Sequence, residues 1–354
     1  MAEKIRVLVV DDSALYRGTI KRLLGTEPNI EVVGTARNGQ QAVDQAVRLR
    51  PDVITLDVEM PVMDGLTALG TIMQQAPSRV IMLSSVTSRG TRQTVRALYL
   101  GALEFIAKPT GRQELPQLGK ELVVKIHAVM QARLPTRKYR TKVEKKSKVA
   151  VRAEQAKRLV VIGASTGGPG ALEELLAQLT GSLSSAVLVV QHMPKGFTAS
   201  LAQRLDGVCA LPVEEAGTTV PLITGRIYLA RGGNHLLVHN LREAHSIDGP
   251  SRHGVKPAVD VTLESGAIHF GRDTTAVILT GMGRDGTEGC RRIHALGGRV
   301  LAQNQASSVV YGMPRAVIQA GLAPHGMTLS EIAKTLNGLD KEAREGGNND
   351  SFIN

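Results

Sequence analysis

Residues 158–168 read Arg-Leu-Val-Val-Ile-Gly-Ala-Ser-Thr-Gly-Gly, a short apolar run that passes straight into a glycine-framed serine. Gly163 and Gly167 flank Ser165 in the spacing Gly-x-Ser-x-Gly, which lifts a hydroxyl out of a tight strand-to-helix turn where it can attack an electrophile. Leu172, Leu175, Leu176 and Leu179 recur at i, i+3, i+4 and i+7, the period of the helix that should follow. The positive end of that helix faces Ser165 and would favour developing negative charge. Glycine and serine also occur in such turns for packing alone, so the motif needs partners.

A nucleophilic serine needs a base in reach and a group to orient that base. Of nine histidines, His192 is best placed: it closes the apolar run 186–190, the next strand, and in a parallel sheet shares an edge with Ser165. His235 and His239 suggest a metal pair, but the Leu-Leu-Val between them reads as strand, where four residues span roughly 13 Å. His245, His253, His269, His294 and His325 read as surface or turn residues. The third group should also follow a strand. Asp285 does, in Gly281-Met-Gly-Arg-Asp-Gly286 after the run 276–280, and a carboxylate there can hold His192 in the required tautomer. Backbone N–H groups near Met282 are candidate oxyanion donors.

The same hexapeptide fits Gly-x-Gly-x-x-Gly, which in a dinucleotide site is followed by an acid about 20 residues on. Here the strand 299–302 ends in Gln303-Asn304-Gln305, and the strand after the serine turn ends in His192. Neither turn carries the lysine of a phosphate-binding loop. The chain order Ser, His, Asp departs from the Ser, Asp, His of ordinary α/β-hydrolases, which points to a different doubly wound sheet.

The first half carries a second constellation. Strand patterns at 5–10, 32–36, 53–56, 80–83 and 104–106 alternate with amphipathic stretches, the last marked by Leu115, Leu118, Leu122, Ile126 and Val129. Five β/α units predict an open parallel sheet covered on both faces, with ligands beyond the C-terminal strand ends. Asp11 and Asp12 follow the first strand and Asp57 the third. Three carboxylates together repel unless a cation shares them, and an all-oxygen set suits Mg²⁺. A carboxylate beside Mg²⁺ can accept a phosphoryl group. Ser84 and Lys108, ending the fourth and fifth strands, could contact that group, and Lys108–Pro109 is a candidate cis bond.

With 354 residues the chain has room for two domains of roughly 150 each. Its 42% hydrophobic and 3% aromatic content suits an aliphatic α/β protein. Cys209 and Cys290 are far apart in sequence, which argues against a disulfide framework and for a reducing cytoplasm. The first apolar run is six residues, broken at once by Asp11 and Asp12, so neither a signal peptide nor a membrane span is expected. The net charge of +11 suggests nucleic acid until it is located. Residues 133–158 hold eleven Lys/Arg against Glu144 and Glu154, a net +9, with few apolar residues and no period. That is the signature of a solvated linker. No helix-turn-helix pattern follows it.

Asp11-Asp-Ser13, Asp57 with Met60-Pro-Val-Met-Asp-Gly65, and Phe105-Ile-Ala-Lys-Pro109 resemble the response-regulator receiver family over roughly residues 4–131. That resemblance implies Asp57 as phospho-acceptor, Asp11 and Asp12 as holders of Mg²⁺ with it, and Ser84 and Lys108 as switch residues. Gly163-Ala-Ser-Thr-Gly-Gly168, Gln191-His-Met-Pro194, Pro257-Ala-Val-Asp260 and Gly281-Met-Gly-Arg-Asp-Gly286 resemble the catalytic domain of the chemotaxis protein-glutamate methylesterase (CheB) family. With the receiver in front, the likeness spans about residues 4–338.

The resemblance implies Ser165 as nucleophile, His192 as base and Asp285 as orienter, with Thr166 and Met282 in support and no cofactor for the esterase. Its implied substrates are glutamyl methyl esters, and some glutamines, on the cytoplasmic helices of chemoreceptors. Its implied phosphodonor is a chemotaxis histidine kinase, and the unphosphorylated receiver is implied to mask the esterase cleft. The expected organisation is a flavodoxin-like (βα)5 receiver at 1–132, a basic linker at 133–157, a doubly wound, mostly parallel α/β methylesterase domain at 158–340 and a disordered tail at 341–354. The expected protein is a cytoplasmic monomer that binds no nucleic acid. Two alternatives stay open: the same chemistry in a non-chemotaxis receptor array, or a non-enzymatic phospho-dependent binding regulator.

Overall fold

Five parallel strands carry the first half: β1 (Ile5–Val10), β2 (Ile30–Ala36), β3 (Val53–Asp57), β4 (Arg79–Ser84) and β5 (Glu104–Ala107), in the order β2-β1-β3-β4-β5. Between and after them run α1 (Ala14–Leu24), α2 (Gly39–Leu49), α3 (Gly65–Gln75), α4 (Ser88–Leu100) and α5 (Leu115–Met130). The first four helices start where a short polar side chain caps them: Ser13, Asn38, Asp64 and Thr87 accept from the N–H of Tyr16, Gln41, Thr67 and Gly90. Helices on both faces leave no polar side to the central strands, and Val7, Leu8, Val9, Val10, Val53, Ile54 and Leu56 are fully buried. The strand order reverses between β1 and β3, the position at which open α/β sheets bind ligands.

The computed structural model describes residues 3–109, 111–132, 147–149, 154–180 and 183–346, and the chain divides near residue 141 into two units. The second unit contains β6 (Arg158–Ala164), α6 (Gly168–Leu176), β7 (Ser185–Gln191), α7 (Thr198–Val208), β8 (Val213–Glu215), β9 (Thr219–Pro221), β10 (Ile227–Leu229), β11 (His235–Val238) and β12 (Glu243–Ile247). It continues with α8 (Val259–Phe270), β13 (Thr274–Ile278), α9 (Thr287–Ala295), β14 (Arg299–Gln303), α10 (Met313–Gln319), β15 (Gly326–Met327) and α11 (Leu329–Gly346). Seven strands form one parallel sheet, β15-β14-β13-β6-β7-β10-β8, beside a small antiparallel sheet, β11-β12-β9. The fold class is therefore the expected one: two doubly wound, mostly parallel α/β units.

Each expected strand falls on an observed one, except that the run expected over 276–280 leaves its strand, β13, at Ile278. The serine-turn helix ends at Leu176, so Leu179 is buried just beyond it. The cis peptide bond of the described residues is Lys256–Pro257; the expected cis bond at Lys108–Pro109 is not found. Most of the basic linker lies outside the described residues. Its described parts are tied to the second unit: Lys148 Nζ reaches Asp206 Oδ1 at 2.5 Å, and the N–H groups of Val149 and Ala156 donate to Ala210 and Leu222. Of the stretch expected to be a disordered tail, 341–346 continue α11, and 347–354 lie outside the described residues.

Candidate active site

β6 sits near the middle of its sheet, with β7 on one side and β13 on the other. Their C-terminal ends bring the predicted groups to one edge. The register pairs Ala164 with Gln191, so Ser165 and His192 are the next residues out on neighbouring strands, which lie about 4.8 Å apart. On the other flank, Ser165 N–H donates to Thr280 O at 3.0 Å. Asp285 follows in the loop from β13 to α9.

The turn at Ser165 works only with its glycines. A Cβ on Gly168 would lie 2.0 Å from Gln191 Oε1, and one on Gly281 would lie 2.7 Å from Ser165 Cβ. Gly167 also adopts φ +77°, which side chains disfavour. Helix α6 has no side-chain cap; its Gly168 N–H donates to Ser165 O at 2.7 Å.

His192 Nε2 lies 2.7 Å from Asp285 Oδ2. Asp285 is buried, and both its oxygens are gripped by backbone: Val259 N–H donates to Oδ2 at 2.7 Å and Asp260 N–H to Oδ1 at 3.0 Å. Burial alone would push this carboxyl up, but the bond and charge of His192 with the two amides hold it below the ordinary carboxylate range. An ionised carboxylate only accepts, so Nε2 donates and Nδ1 is the imidazole's open acceptor. Among the described residues no hydrogen bond joins the Ser165 hydroxyl to His192; such contacts tighten when substrate arrives.

The supporting residues divide. Thr166 is buried, and its carbonyl accepts from Thr280 Oγ1 at 3.0 Å. Met282 is 43% exposed on the turn. Gly281 N–H is committed to Val310 O, whereas no acceptor meets Met282 N–H among the described residues.

Sequence reasoning assigned no role to three buried polar residues. Gln191 Nε2 donates to the carbonyls of Ser165 (2.9 Å) and His192 (3.2 Å), Gln303 Oε1 accepts from Thr280 N–H at 2.7 Å, and the Asp260 carboxylate meets Gly289 N–H and the His253 ring. The available signal was polarity at strand ends: Gln191 and Gln303 each close an aliphatic run. His253, read as a turn residue, is one by its φ of +54°, yet its Nε2 also lies 2.9 Å from Asp260 Oδ2.

In the receiver, Lys108 Nζ lies 2.7 Å from both Asp11 Oδ2 and Asp57 Oδ2. Asp11, Asp12 and Asp57 each offer an oxygen within 4.8 Å of the others'. This all-carboxylate set, with Asp11 and Asp57 buried and Asp12 exposed, fits a hard cation that keeps part of its water shell, as Mg²⁺ does. Burial pushes the Asp57 carboxyl up to about 6, against the pull of Lys108 and with a further push from Asp11. No hydrogen bond among the described residues joins Ser84 to this cluster: its hydroxyl is shared between Ser85 O and Gly90 O at 3.2 and 3.3 Å.

A flavodoxin-like acidic receiver followed by a parallel α/β unit with polar groups gathered at its switch point defines a receiver-coupled enzyme. The sequence profile of the response regulator receiver domain matches residues 7–119, and that of the CheB methylesterase matches residues 160–336. A protein-glutamate methylesterase/protein-glutamine glutaminase of Symbiobacterium thermophilum is 43% identical over 94% of this chain and 96% of its own. One of the same name from Thermotoga maritima is 42% identical over 94% and 97%. The crystal structure of the Thermotoga maritima CheB methylesterase catalytic domain aligns with a TM-score of 0.50 and 40% identity, covering 51% of this chain and 98% of that one.

The chain belongs to the CheB methylesterase family. It is a hydrolase of the carboxylic-ester class fused to a response-regulator receiver, which sets aside the non-enzymatic alternative. No described helix is long and apolar enough to cross a membrane.

Proposed function

We propose that this protein hydrolyses γ-glutamyl methyl esters on the cytoplasmic helices of chemoreceptors, through Ser165, His192 and Asp285, at a rate raised by phosphorylation of Asp57. The observation that carries this reading is the 2.7 Å bond from His192 to a buried Asp285, one strand away from Ser165 on either side. Asp285 keeps the proton on Nε2, so Nδ1 takes the Ser165 proton as Oγ attacks the ester carbonyl. Met282 N–H, which meets no acceptor among the described residues, receives the oxyanion. The imidazolium then protonates the departing methanol, leaving an acyl-serine. Water repeats the sequence on that acyl group and frees a glutamate carboxylate. A glutamine substrate would release ammonia by the same steps, in line with the glutaminase in the relatives' names.

In the receiver, Asp11, Asp12 and Asp57 would hold Mg²⁺, which when bound offsets charge on the transferring phosphoryl oxygens. Asp57 accepts the phosphoryl group from a histidine kinase, Lys108 pairs with it, and Ser84 turns from its present partners to bond it. The setting is the cytoplasm, where chemoreceptor helices and kinase meet, and the role is adaptation of receptor signalling. The test is methanol release from methylated receptor fragments with and without a small phosphodonor. Phosphodonor-stimulated release is expected, and its absence from fully methylated fragments would refute the assignment.

A further inference from the structure

We infer that Asp260 is a positioning residue for this reaction: its side chain locks together the two backbone segments between which the Asp285 carboxylate is held. The inference rests on the triad reading above. Asp260 lies in the first turn of α8, and none of its surface is exposed. One segment is 259–260, whose two amides grip both Asp285 oxygens. The other is 285–289, which carries Asp285 itself into the first turn of α9. Asp260 Oδ1 accepts Gly289 N–H at 2.8 Å, so one side chain fixes donors and acceptor relative to each other. Its Oδ2 is held by His253 Nε2 at 2.9 Å, which anchors it from the opposite side.

The surroundings leave little slack. A Cβ on Gly289 would lie 2.4 Å from Leu263 Cβ, and one on Gly163 would lie 2.5 Å from Val259 Cγ1. Two helix starts could be joined by a neutral group at less desolvation penalty, since an isolated buried carboxylate is disfavoured unless every lone pair is met. Burial and the neighbouring charge of Asp285 do push the Asp260 carboxyl up, while Gly289 N–H, His253 and Arg252 oppose that push. A slip of this linkage moves Val259 N–H and Asp260 N–H off Asp285, loosens the carboxylate and lets the His192 ring rotate away from Ser165.

The test compares full-length wild type with D260A, D260N and S165A, at saturating acetyl phosphate, on a peptide carrying a glutamyl γ-methyl ester. D260A is expected to lower kcat 10- to 100-fold per folded molecule with KM within threefold, and to move the acidic limb of the kcat/KM pH profile downward. D260N, which keeps an oxygen for Gly289 N–H, should recover most of the kcat. If D260A does not fold, D260E carries the test: its carboxylate is displaced by one methylene, and the same loss of kcat at unchanged KM is expected. Wild-type kcat and pH limb in D260A, or no recovery in D260N, overturn this inference while an inactive S165A leaves the triad standing. Activity retained in S165A overturns the triad reading itself.

Discussion

His192 donates from Nε2 to Asp285 Oδ2 at 2.7 Å, so the ring nitrogen left to accept a proton is Nδ1. The direction of this bond is what an amide in place of the carboxylate would reverse. In D285N the new NH₂ faces Nε2 and favours the tautomer with its proton on Nδ1, aiming a donor at Ser165. Turnover should fall by about 10⁴-fold, the loss found when a triad carboxylate becomes an amide. Melting temperature, read alongside methanol release, should move by only a few degrees. Activity within tenfold of wild type would remove Asp285 from the orienting role.

A loss of receiver stability toward neutral pH follows from Asp57. Its folded pKa of about 6 stands above the ordinary 3.8, so the folded form holds the proton more tightly. The receiver therefore loses stability as pH rises from about 4 to 6, and the whole penalty is present above that, roughly 3 kcal/mol at most for two pH units. In Mg²⁺-free buffer D57N should melt higher than wild type at pH 7.5, with the gap closing toward pH 4. A gap that widens on acidification contradicts the raised value.

Phosphoryl transfer should need the same side chain. D57A should show its basal esterase rate unchanged by acetyl phosphate, while the wild type is stimulated; a 100-fold stimulation corresponds to about 2.7 kcal/mol of differential stability between receiver states. Normal stimulation of D57A would break the link between the receiver and the esterase.

Gly281 offers a steric test. A methyl there meets Ser165 Cβ at 2.7 Å in the serine turn and Met313 Sδ at 2.4 Å at the buried start of α10. G281A should lose about 1–3 kcal/mol of stability, the usual penalty for overpacking, and most of its turnover. Denaturant unfolding with a wild-type midpoint would show that the turn is looser than described.

The fold was legible because aliphatic runs ending in Asp or Ser recur at β1, β3 and β4, and parallel strands that are buried on both faces must be apolar throughout. Ser165, His192 and Asp285 were legible for a related reason: the first two come next after strand ends and Asp285 lies in the loop that follows β13, and strand ends share one edge. Gln191, Gln303 and Asp260 were not read, because each ties in a backbone group 23 to 29 positions away, and a backbone partner leaves no mark in sequence. Leu179 shows the limit of periodicity. It keeps the apolar spacing and is buried, yet α6 has already ended at Leu176. The six helical residues past 340 show the opposite error, since a polar sequence such as Lys341-Glu-Ala-Arg-Glu345 continues a helix as readily as it forms a tail.

Covalent capture at Ser165 tests the central claim most directly. Full-length protein treated with a fluorophosphonate in the presence of acetyl phosphate, then digested and mapped by mass spectrometry, should carry the adduct on Ser165. The labelling rate should fall at least 100-fold in H192Q, whose folded fraction is checked in parallel. An adduct on another residue, or a labelling rate at Ser165 that is unchanged in H192Q, would contradict the account.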